Sequence, residues 1–145
     1  MSPIFGSRCF FVALLLCTAV SPGAHAQQPA PEPFADEVKD MTYVGFEETE
    51  HAVRVFVRTS EPVKYIVDTS HARRIVLILD NCRVPVFNNT RPLNTQYFAG
   101  PVTRIEAKPV GDLSPSVRIE IELRHQATMH ATQKDTTLAL DFTKR

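Results

Sequence analysis

Glycine is scarce in this chain, five in 145 residues, and none falls in a phosphate-cradling loop. A G-x-S-x-G nucleophile elbow, an H-E-x-x-H zinc helix and a C-x-x-C pair are missing as well. No charge of one sign predominates, since 16 Lys and Arg face 16 Asp and Glu. Without a basic field to meet phosphates or anionic headgroups, neither nucleic acid nor a membrane surface is an expected partner. Past the N-terminus the one run of five large aliphatics is Ile75–Leu79, too short to span a bilayer. Cysteine occurs three times, at Cys9, Cys17 and Cys82.

What the N-terminus does have is an export signal. Met1–Arg8 carries one positive charge, Cys9–Val20 is apolar, and Ala24-His25-Ala26 is an A-x-A cleavage site. A lipoprotein signal acylated at Cys17 is the rival, but Leu14-Leu15-Leu16 lacks the small residue such a cysteine follows. Residues 1–26 are therefore read as a signal peptide, which leaves 145 − 26 = 119 residues. Removing Arg8 gives 15 basic against 16 acidic residues, a net charge of −1. Cys9 and Cys17 leave with the signal, so Cys82 has no intrachain partner and reads as a small buried hydrophobe. Residues 27–40, with alternating proline, read as an extended leader, and 41–145 as the folded domain.

From Met41 the pattern is one of short alternating runs between turn signals, which predicts an all-β sandwich. Thr42–Glu47, Val53–Val57 and Val63–Val67 are the first three strands. The run within Arg73–Asp80 reads as a central strand covered on both sides, with Ile75, Leu77 and Leu79 on one face and Val76 and Ile78 on the other. Asn81–Gly100 is a long irregular connection, broken by Pro85, Asn88-Asn89, Pro92 and Gly100-Pro101 yet carrying Phe87, Tyr97 and Phe98. It is either a functional crossover loop or a lid on one end of the core. Val102–Lys108, Val117–Leu123, Ala127–Thr132 and Thr137–Phe142 follow as strands, with Ala127, Met129 and Ala131 inward in the third.

The second half repeats the first. Val53-Arg54-Val55-x-Val57 matches Val117-Arg118-Ile119-x-Ile121 at a shift of 64, and Ile75-x-Leu77 matches Leu138-x-Leu140 at a shift of 63. Neither set of four strands could bury its face alone, so two four-stranded sheets packed face to face are expected.

These segments, with Arg91-Pro92-Leu93-Asn94-Thr95 and Val102-Thr103-Arg104-Ile105, resemble an AMIN domain over Val44–Phe142. The resemblance implies a β-sandwich of two symmetric four-stranded sheets and a periplasmic location. It also implies a targeting or peptidoglycan-binding role without chemistry or cofactor of its own, as on cell-wall amidases and type IV pilus secretins. Such domains usually place Asp after the aliphatics of the central strand. Here that place holds Ile78, and the acid is Asp80 two residues later. No amidase or secretin domain follows Phe142 in the sequence, which reads as a stand-alone module.

Candidate binding residues are chiefly arginines, whose forks hold the lactyl and peptide carboxylates of peptidoglycan bidentately. They are Arg54, Arg74, Arg91, Arg104 and Arg118, joined by Asp80 and Tyr97. The competing expectation is that Arg54 and Arg118 pair across strands with Glu120, Glu122 or similar acids. His51, His71 and His125 sit at turns or strand ends, and His130 faces away from its neighbour Met129, so no metal site is expected. Two functions are carried forward. One is a peptidoglycan-binding targeting module serving an envelope machine. The other is a protein-interaction module docking through a sheet edge or the Asn81–Gly100 loop.

Overall fold

Valine at alternate positions builds the frame. In the computed structural model, which describes residues 37–111 and 114–144, every element except one turn of 3-10 helix is a strand. The strands are β1 (Lys39–Glu48), β2 (Ala52–Thr59), β3 (Tyr65–His71), β4 (Arg74–Leu79), β5 (Cys82–Arg83), β6 (Leu93–Asn94), β7 (Val102–Val110), β8 (Ser116–Leu123), β9 (Met129–Lys134) and β10 (Thr137–Thr143). The proposed signal peptide and most of the leader lie outside the described residues.

Two sheets result, ordered β5-β1-β2-β10-β9 and β3-β4-β8-β7-β6. The expected four strands per sheet are thus corrected to five. The long connection supplies the fifth strand to each, β5 running parallel to β1 and β6 antiparallel to β7. Its prolines and Asn pair confine each ladder to two residues, without preventing pairing altogether. The two additions differ in direction, so the correspondence between the sheets stops at their four long strands.

The repeat shows in how those long strands are shared. Each half of the chain places its first hairpin in one sheet and its second in the other, so both sheets are hybrids of the two halves. The matched segments become β2 and β8, the middle strands, and their buried and exposed positions alternate identically along eight residues. Inward rows of Val53, Val55 and Val57 and of Val117, Ile119 and Ile121 are fully buried. Leu77, Leu79, Ile105, Leu138, Leu140 and Phe142 complete the core.

Strand β4 lies beside the middle strand β8 and is not itself central. Its inner row, Ile75, Leu77 and Leu79, packs in the core. Val76, on the outer row, is buried yet stands apart from the core cluster. It lies between Asp68 and Glu120 in register, so side chains of neighbouring strands cover it where a second layer was expected. Strand β1 begins at Lys39, earlier than the run read from the pattern. Met41 and Val44 both point inward although three residues apart, because the ladder is irregular between Met41 and Tyr43 and resets the alternation. On edge strand β9, Met129 is half-buried as expected, but Ala131 is exposed because no further strand covers that edge.

Candidate functional site

Antiparallel pairing puts opposite residues on the same face, so the outer surface of each sheet can be read row by row. On the second sheet one row runs Arg74, Glu122, Arg104, Asn94 across β4, β8, β7 and β6. The next holds Asp68, Val76, Glu120 and Glu106, and the third Ile66, Ile78, Arg118 and Lys108. An acidic row thus lies between two rows with basic members.

The lower rows neutralise each other. Lys108 Nζ lies 3.4 Å from Glu120 Oε2 and 3.5 Å from Glu106 Oε2. Arg118 Nε is 3.0 Å from Glu120 Oε1, and Arg104 Nη2 is 3.2 Å from Glu106 Oε2. Burial pushes the Glu120 carboxyl upward, but the Lys108 hydrogen bond and the charges of Lys108, Arg118 and Arg74 outweigh it and hold the group below its ordinary value.

The upper row behaves differently. Arg74 and Glu122 are exposed neighbours, yet among the described residues neither side chain makes a hydrogen bond or ion pair. Both line a groove. One part, about 410 Å³, is bounded by Pro92, Asn94, Gln96, Thr103, Arg104 and Glu122. The adjoining part, about 460 Å³, shares Thr103 and Glu122 and extends to His71, Arg73 and Arg74. Thr103 stands where the β7–β8 ladder shifts register, and its Oγ1 donates to the Glu122 carbonyl at 3.1 Å. Arg124 closes the rim by donating from Nη2 to the Gln96 carbonyl at 2.6 Å. Thr95, buried, ties the same loop to β7 through its Oγ1 bond to the Val102 carbonyl at 2.9 Å.

The structure gathers only part of the sequence-derived set. Arg74 and Arg104 lie on the groove and Arg118 two rows below it. Arg54 is on the opposite sheet, held bidentately by Asp141. Asp80 lies in the turn beyond β4, where its Oδ1 accepts the Asn81 backbone N–H at 3.0 Å. Arg91 follows the 3-10 turn Phe87–Thr90, and Tyr97, 86% exposed, stands on the loop beyond β6. Glu122, Arg73, Thr103, Asn94 and Gln96 were not foreseen as site residues. Glu122 in particular looks like any outward acid of an alternating strand until its neighbours are known.

The crossover is both a lid and a surface. Phe98 packs on Phe46 with ring centroids 5.2 Å apart, closing one side of the core. Asn89 is buried and donates from Nδ2 to the Thr42 carbonyl at 2.9 Å. Val86, Phe87 and Tyr97 remain exposed. Among the described residues no group of three His, Cys, Asp or Glu is arranged to hold a metal, and no helix is long and apolar enough to cross a membrane.

The family profile described as AMIN domain matches residues 44–142. The chain belongs to the AMIN domain family. This family comprises non-catalytic periplasmic targeting and peptidoglycan-binding modules of envelope proteins. The match runs from within β1 to within β10 and includes every residue that lines the groove. A comparison with curated proteins finds no match.

Proposed function

We propose that this AMIN domain is an exported, periplasmic, non-catalytic module that binds peptidoglycan and holds an envelope machine, such as a type IV pilus or secretin assembly, at the cell wall. The observation that carries the reading is the groove across the second sheet. Arg74 and Arg104 stand at its two sides, and the Arg74 guanidinium makes no hydrogen bond or ion pair among the described residues. Guanidinium forks in a polar groove suit carboxylates borne on a polymer, and peptidoglycan displays them on its stem peptides. Near-neutral charge fits a short-range, geometry-dependent contact better than long-range attraction to polyanions.

The test is co-sedimentation of the protein with purified sacculi, run beside an Arg74→Ala, Arg104→Ala double variant. The wild-type protein is expected in the pellet and the variant in the supernatant. Should both pellet equally, the groove is not the site. Should neither pellet at low salt, wall binding is refuted.

A second reading rests on its own observation. Val86, Phe87 and Tyr97 expose apolar surface on one connection, the kind of surface that docks on another protein. That reading takes over if sacculi are not bound.

A further inference from the structure

Within the groove, the arrangement of charge is more informative than its sum. The row Arg74, Glu122, Arg104 alternates plus, minus, plus across three adjacent strands. Opposite residues on such strands have Cβ atoms about 5 Å apart, close enough for Arg74 and Glu122 to bridge. Elsewhere on this face the charges do bridge, through Lys108, Arg118, Glu106 and Glu120. The Glu122 carboxylate and the Arg74 guanidinium are instead left side by side and open to the groove, with Arg73 beside them and Arg104 engaged only through one guanidinium nitrogen.

A neutral N-acetylated sugar offers hydroxyls and an amide, which bring a counter-charge to neither group. A ligand carrying an ammonium and a carboxylate on one carbon compensates both, the carboxylate on Arg74 and the ammonium on Glu122. In peptidoglycan that chemistry belongs to the free zwitterionic end of a diamino dicarboxylic acid in an uncross-linked stem peptide. We infer that the groove recognises this zwitterionic end and not the glycan strand, with Glu122 as the residue that selects for the free ammonium. The inference rests on the wall-binding reading and narrows it to uncross-linked wall.

The test uses the full chain with three probes: intact sacculi, glycan strands stripped of stem peptide by an amidase, and isolated stem tetrapeptide capped at its N-terminus, with the diamino acid's side-chain amine free or acetylated. Glu122→Gln and Arg74→Gln change exposed side chains, and a thermal melt checks that they fold. Expected are pelleting with intact sacculi, at least tenfold weaker binding to stripped glycan, and about tenfold weaker tetrapeptide binding on acetylation or in Glu122→Gln, the scale of one charged contact. Acetylation should add little in the Glu122→Gln background. Equal binding to intact and stripped material overturns the inference while leaving wall binding intact. Tetrapeptide binding indifferent to acetylation or to Glu122→Gln overturns it as well. Failure with every probe refutes both readings.

Discussion

Arg54 and Asp141 meet in a bidentate pair across β2 and β10, Nε to Oδ1 at 2.6 Å and Nη2 to Oδ2 at 3.1 Å. The equivalent arginine in the second sheet is Arg118 on β8, and its opposite number on β4 is Ile78. Where Arg54 has Glu47 on its other side, Arg118 has Lys108. The repeat therefore keeps the arginine and loses both flanking acids, and Arg118 turns to Glu120 on its own strand. One sheet seals its arginine into the fold. The other retains an outer face where charge is redistributed and a groove is left open.

Because Arg54 is committed to Asp141, Arg54→Ala should leave sacculus binding unchanged, unlike changes at Arg74. Its cost is structural and small, about 1 kcal/mol or less, because the Arg54 side chain is 46% exposed and water screens the pair. Urea denaturation of Arg54→Ala, Asp141→Asn and the double variant measures the coupling. A loss of binding in Arg54→Ala would move the site to the first sheet.

Gly45 lies under two rings on the first sheet. A Cβ there would stand 2.6 Å from Phe56 Cζ and 2.6 Å from Tyr43 Cε1, whose rings are paired at 5.8 Å between centroids. Gly45→Ala must push them aside, at a cost of about 1–2 kcal/mol. In a Phe56→Ala background part of that cost should disappear, the Tyr43 ring being then free to swing away, and a double-mutant cycle by chemical denaturation reads the difference.

Cys82 is fully buried, and desolvation, with Asp40 adding to it, pushes its thiol from 9.0 up to about 11. Native protein at pH 8 should react with iodoacetamide at least about a hundredfold more slowly than the urea-unfolded chain, since the thiolate is the nucleophile. A raised folded value means the stabilisation is complete below the unfolded value and is lost as pH rises. Stability should fall between about pH 9 and about 11 more steeply in the wild type than in Cys82→Ala. Equal slopes in the two proteins would show that this thiol is not protected.

Glu120 gives the opposite limb. Its carboxyl is held below the ordinary 4.5, so its stabilisation is present above that value and is lost as pH falls through the lowered one. Glu120→Gln should cost about 1 kcal/mol or less at pH 7, because Lys108 and Arg118 are about half exposed, and its difference from wild type should shrink by pH 3 as the carboxylate takes up its proton. Denaturant midpoints at the two pH values decide it. A difference that persists at pH 3 would assign the effect to packing over Val76.

The sequence by itself determined the eight long strands, most of their inward faces and the repeat. Side-chain direction along a strand alternates with a period of two, so Val53-Arg54-Val55 and Val117-Arg118-Ile119 state their burial locally. Tertiary structure decided what local pattern does not encode. Which hairpins share a sheet, and the two-residue strand β5, depend on partners far away in the chain, and the two-residue strand β6 forms only because β7 lies beside it. The site depends on register. Arg74, Glu122 and Arg104 lie 18 or more positions from one another and become a row only when β4, β8 and β7 pair. A slip of one residue would send each side chain to the other face, and only packing of the inward rows against the opposite sheet forbids it.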